Sequence, residues 1–121
     1  MDHRIMLELT GETKRAIAKH GHDGVKDRSW MRAGLILSEE AGEVSKAILE
    51  TFDDMGSWKV PPRIGLTRIY DEAKETASVA VRIMERCRET AAKIEQAQRE
   101  EEEANAKAKA SNSGTGSAVG K

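Results

Sequence analysis

A pattern of carboxylates occurs twice in this chain, at Glu39-Glu40-Ala41-Gly42-Glu43 and again at Asp71-Glu72-Ala73-Lys74-Glu75. Acids spaced three apart share one face of a helix. Two such pairs on facing helices make an oxygen-only site for a hard divalent cation. Magnesium takes carboxylate oxygens in octahedral geometry, keeps some of its waters and is commonly completed by phosphate oxygens, so the substrate this chemistry implies is polyphosphorylated. Gathering the acids without a cation is costly, because like charges ~4 Å apart repel by about 4 kcal/mol at an effective dielectric near 20.

The elements that must position these acids are legible in the apolar spacing. Around the first pair the seam runs through Trp30, Gly34, Leu37, Ala41, Val44 and Ile48; around the second it runs through Ile69, Ala73, Thr76, Ala80, Ile83 and Cys87. Both series alternate steps of four and three, the spacing of packed helices. With these residues at a and d, Glu40 and Glu72 both fall at g, and Glu43 and Glu75 both at c. Glu39 and Asp71 fall at f. In an antiparallel pair of helices g lies against g, so all four carboxylates are expected along one edge of the seam. Ala41, Ala73, Ala77 and Ala80, with Gly42, are small enough to let the backbones approach. In a chain with 34% charged residues, a single acid pair is usually a solvated face. Two copies in matching phase beside small-residue seams favour a site.

The same residues resemble a known family. Trp30 to Leu49, reading W-M-R-A-G-L-I-L-S-E-E-A-G-E-V-S-K-A-I-L, resembles the first metal-binding helix of the MazG-like all-α nucleoside triphosphate pyrophosphohydrolases, especially their short phage and bacterial forms. Tyr70 to Val81 resembles their second metal helix, and Lys19-His20-Gly21 followed by a loop and Trp30 resembles the end of their first helix. The resemblance covers roughly residues 4–90, and EExxE is its most specific element. One departure is plain: the family's final ligand is usually Asp, and here it is Glu75, whose carboxylate lies one methylene further out.

The resemblance implies hydrolysis of a (d)NTP between the α and β phosphates, giving a nucleoside monophosphate and pyrophosphate. It implies Glu40, Glu43, Glu72 and Glu75 as ligands of magnesium, with manganese as an alternative, and a homodimer or homotetramer. Glu39, the additional acid of EExxE, is placed to orient or deprotonate the attacking water. Arg68 and Arg82 lie one heptad either side of Glu75, with Arg86 just beyond, where they are candidates to grip the β and γ phosphates. Each also has the option of an ordinary intrahelical ion pair. Lys46 and Lys59 are further cations without a distinguishing argument. Trp30, Phe52, Trp58 and Tyr70 are the only aromatics; Trp58, in the connection between helices, is the candidate to stack on a base or to cap the bundle, and Trp30 is expected in the core.

The spacing predicts three helices and an all-α antiparallel bundle. The first spans about Asp2 to His20, with Ile5, Leu9 and Ile17 on its apolar face, ended by Gly21 before the polar His22-Asp23-Gly24. The second is capped by Ser29 and reaches about Thr51; the third enters at Pro61-Pro62 and runs past Cys87 toward Glu103. A helical domain is expected over residues 1–96, followed by a charged helix end and a disordered Ser/Gly-rich tail over residues 97–121. So thin a core is expected to be completed by a second copy. The net charge of −1 and the absence of a dense basic face argue against a nucleic-acid polymer as partner. No run is long and apolar enough to span a bilayer and no signal-peptide pattern is present, so a cytoplasmic place, in a bacterial or phage-infected cell, is expected. Cys87 is alone, excluding an intramolecular disulfide, and its phase predicts a small core residue. Two other functions compete: a catalytically weak MazG-like module for nucleotide binding or scaffolding, for which Glu75 leaves room, and a structural bundle whose acids are only solvated surface.

Overall fold

The computed structural model describes residues 1–20 and 29–119; the expected loop at His22-Asp23-Gly24 lies outside the described residues. Those described form three helices, α1 (His3–His20), α2 (Trp30–Thr51) and α3 (Pro62–Val119), and no strand. The chain divides into two units, Met1–Arg86 and Cys87–Lys121. The first contains α1, α2 and the start of α3. The second is the continuation of α3, whose residues from Cys87 to Asn112 are exposed apart from half-buried Thr90. Where the sequence places a boundary at residue 97 and a disordered tail beyond it, α3 stays helical to Val119. Alanine, glutamate and lysine dominate residues 101–110, and their high helix propensity carries the helix onward.

Local chemistry sets the ends of the elements. Asp2 caps α1, its Oδ1 accepting from the amides of Arg4 (2.8 Å) and Ile5 (3.3 Å). Ser29 caps α2 through Arg32 N–H at 3.2 Å. Past Thr51 the chain is turned by Asp53, whose Oδ1 accepts from Met55 N–H (2.9 Å) and Ser57 N–H (2.8 Å). Gly56 takes φ +79°, a left-handed conformation that glycine adopts without a β-carbon clash. Phe52 and Trp58 form an isolated antiparallel bridge, and their rings meet at a tilt of 42° with centroids 4.6 Å apart. Lys59 closes the end of α2 by donating from Nζ to Leu49 O at 3.3 Å.

The buried stripe of α2 runs through Ala33, Leu37, Glu40, Val44, Ala47 and Thr51; that of α3 runs through Gly65, Ile69, Glu72, Thr76, Val79 and Ile83. Leu37, Val44, Ile69, Thr76 and Ile83 are the expected seam residues. Every alternate position has moved back by one residue. Ala33 replaces Gly34, Glu40 replaces Ala41, Ala47 replaces Ile48, Glu72 replaces Ala73, and Val79 replaces the half-buried Ala80. Cys87 is exposed, and so is Trp30 at 47%, against the expectation that both are core. The cause is how closely the helices approach. A β-carbon on Gly65 would lie 2.3 Å from Thr51 Cγ2, so the interface admits alanine at 33 and 47 but not tryptophan or isoleucine. Ala33 and Val79 form the core, with Ile36, Leu37 and Ile83 packed against them.

Candidate metal centre

The one-residue displacement changes where the acids stand. Glu40 and Glu72 occupy the buried stripes of α2 and α3 themselves, half-buried, instead of flanking them. Glu75, one turn past Glu72, is exposed but aimed at the same point: one carboxylate oxygen from each of Glu40, Glu72 and Glu75 lies within 4.8 Å of the other two. Packing of Ala33 against Val79 and of Thr51 against Gly65 fixes the helices on either side of this cluster.

The electrostatics follow from that crowding. Burial holds the Glu40 carboxyl above its ordinary value of 4.5, and Glu75 and Glu72 push it further in the same direction. Glu72 is also raised, again by burial first and then by Glu75 and Glu43, with Arg68 pulling the other way. A cluster that resists ionisation is one that a cation would relieve. The donor set fits a hard ion. All three groups are carboxylates, and the roughly 3 to 4 Å at which octahedral magnesium would set its oxygens lies inside the 4.8 Å within which they are gathered.

Other predicted residues are placed as follows. Glu43 is exposed and lies outside the converging three, although Glu72 senses its charge. Glu39 is exposed beside Glu40. Arg68 pairs with Glu50 of α2 at 2.5 Å. Arg86 lies over the Trp30 ring, 4.0 Å from its centroid, a cation–π contact. Arg82 is buried, and Lys46 is exposed. Trp58 packs at a tilt against Phe52, which lies about three turns, roughly 18 Å, beyond Glu40 along α2; within one chain Trp58 is not brought to the acids.

Two features carry no signal in the linear sequence. Tyr70 donates its phenol to Glu8 of α1, and that bond, more than burial, raises the phenol above its ordinary range. Beside it lies a largely apolar cavity of about 290 Å³ lined by Ile5, Leu9, Tyr70, Ala73, Lys74 and Ala77. Both depend on α1 lying along α3, which periodicity within either helix does not reveal.

No protein-family model, no curated protein and no solved structure matches the chain.

Proposed function

We propose that this chain is a magnesium-dependent nucleoside triphosphate pyrophosphohydrolase of the MazG-like class, cleaving (d)NTPs between the α and β phosphates to a nucleoside monophosphate and pyrophosphate. The observation that carries this reading is the convergence of Glu40, Glu72 and Glu75 from two helices on one point. Glu40 and Glu72, whose carboxyls are held up by burial first and by neighbouring acids second, oppose stability in the packed stripe of a small bundle, and binding a cation is the use that offsets the cost.

In this reading Glu40, Glu72 and Glu75 hold magnesium or manganese, and Glu43 joins them by a rotamer change. The ion, when bound, neutralises charge developing on phosphate oxygens and acidifies a water. Glu39 receives the proton of the water that attacks phosphorus, and the pyrophosphate leaves as the phosphoanhydride bond breaks. Arg68 and Arg86 are the cations placed to meet the leaving phosphates, each by exchanging its present partner. α2 and α3 form an antiparallel pair completed by a second copy, as a homodimer or homotetramer. Leu35, Ile48, Leu49, Ile64 and Leu66 are all exposed, an apolar surface that a partner would cover. Trp58, remote from the acids of its own chain, would then wall the base in a site built with a neighbouring copy. The setting is the cytoplasm of a bacterial or phage-infected cell; among the described residues no helix is long and apolar enough to cross a membrane.

A second reading, a module that binds nucleotide with little or no turnover, is favoured by one observation. Glu43 stands outside the cluster and Glu75 replaces the family's Asp, leaving three gathered ligands in place of four.

The test is pyrophosphate release from a panel of NTPs and dNTPs, with and without magnesium, alongside Glu43→Gln and Glu72→Gln. Metal-dependent release that drops by about 100-fold or more in both variants, as for loss of a group acting in the transition state, supports the hydrolase. A folded protein that releases pyrophosphate from no nucleotide overturns it and leaves the binding module, for which magnesium would still raise thermal stability.

A further inference from the structure

α2 carries a second line of residues beside its buried stripe. Met31, Leu35, Ser38, Gly42, Ser45 and Leu49 each stand two residues before a member of that stripe, so they run along the opposite side of the helix in alternate steps of four and three. All six are exposed, Met31 to 78%, Leu35 to 64% and Leu49 to 69%. The line bears no charge, in a chain with 34% charged residues. The charged residues of α2 outside its buried stripe, Arg32, Glu39, Glu43, Lys46 and Glu50, all fall on one flank of it.

Gly42 supplies a second, independent observation. Glycine inside a helix weakens it relative to alanine, and at this position nothing within the chain requires it. Its backbone is ordinary helix, and a β-carbon added there would meet no atom within 4 Å. Gly65 is the contrast, since the space beside it is filled by Thr51. What glycine at 42 allows is a close approach from outside the chain. The line is also complementary to itself. Met31 and Leu49 stand at its ends, Ser38, Gly42 and Ser45 fill its middle and far side, and the spacing reads the same from either end. Reversed about the level of residue 40, it sets Met31 against Leu49, Leu35 against Ser45 and Ser38 against Gly42, the reciprocity of an isologous two-fold interface. The Ser45 hydroxyl is turned back onto Ala41 O at 3.4 Å, so its donor is met within its own helix.

We propose that this uncharged face of α2 docks against the same face of a second copy, antiparallel about a two-fold axis at the level of residue 40, with Ser38 and Gly42 letting the two helices come close. Glu40 is two residues from both Ser38 and Gly42 and so stands on the far side of the helix from the axis. The docked face backs the acid-bearing helix without covering the cluster. The second copy is the one invoked for the proposed function, and the assignment of its face rests on that part alone; association is measured without nucleotide or metal, so its failure is distinguishable from failure of the hydrolysis.

The experiment is sedimentation of the full chain over a concentration series in chelator, for the parent, Gly42→Ala, Gly42→Leu and Leu35→Lys, with circular dichroism to establish that each is helical. The parent is expected to dimerise. Gly42→Leu and Leu35→Lys should each raise the dissociation constant at least about tenfold, the effect of one overpacked or charge-bearing contact. Gly42→Ala should raise it severalfold although alanine is the better helix former. Leu35 is exposed in the single chain, so lysine there leaves the fold intact and gives the reading should Gly42→Leu fail to fold. In a Cys87→Ser background, which removes the chain's one cysteine, oxidation of a mixture of Leu35→Cys and Ser45→Cys chains should yield the mixed disulfide. A parent that is monomeric at every concentration overturns the proposal, as does a dimer indifferent to both Gly42→Leu and Leu35→Lys. Gly42→Ala that melts higher with unchanged association overturns it by showing that nothing approaches the glycine. A disulfide between two Leu35→Cys chains in preference to the mixed one overturns the antiparallel register.

Discussion

Ser78 sits one turn before Arg82 and carries a hydroxyl that is 1% exposed and meets no hydrogen-bond partner among the described residues. An unpaired buried hydroxyl costs stability, and serine is a weaker helix former than alanine. Ser78→Ala is therefore expected to stabilise the chain by about 1 kcal/mol, read as a higher midpoint in urea at unchanged slope. Destabilisation would mean that the hydroxyl is paired in solution. At this scale the linear sequence is a partial guide. The types and spacing of Glu40, Glu72 and Glu75 are visible in it, whereas the contact of Tyr70 with Glu8 is not. Glu8 stands 62 residues earlier in the chain, on another helix, and nothing in either local pattern announces that they meet.

Between elements, the controlling contact is Gly65 against Thr51. Thr51 is fully buried, with its hydroxyl donating to Ala47 O at 2.7 Å. Glycine inside a helix usually costs about 1 kcal/mol relative to alanine, but here alanine would drive a β-carbon to 2.3 Å from Thr51 Cγ2. Gly65→Ala is expected to destabilise by about 1 to 3 kcal/mol, with part of the loss recovered by Thr51→Ala in the same chain; a stabilised Gly65→Ala would show that α2 and α3 do not approach this closely. The same contact explains what the apolar pattern did and did not reveal. Helix number, the Ser29 cap, the Thr51 limit and five seam positions follow from periodicity and end signals. The alternate seam positions do not, because a four-three stripe allows either of two adjacent residues at every second step. The choice falls to whichever side chain fits the gap, and at this spacing small residues and two glutamates face inward while Trp30 and Ile48 face out.

For the molecule as a whole, the acids in the packed stripe tie stability to pH. Glu40 and Glu72 have raised pKa values in the folded chain, so folding takes up protons. Their favourable contribution is complete below the ordinary value of 4.5 and is lost as pH rises through the raised folded values. In chelator the melting temperature is expected to fall as pH rises from about 4.5 toward neutrality, the window set by that ordinary carboxylate value, and magnesium should flatten the decline. A profile that rises toward neutrality, or is indifferent to magnesium, would count against a crowded cluster. The buried stripe carries one more implication. Positions 40 and 72 are where leucine would pack best against Leu37, Val44, Ile69 and Thr76, so a laboratory selection for heat resistance alone should converge on apolar residues there. The enriched variants would be hardier bundles with the acid cluster erased. Loss of glutamate at these two sites, against its retention at solvated sites such as Glu95 or Glu100, would read out directly which acids the fold tolerates and which it carries for a purpose.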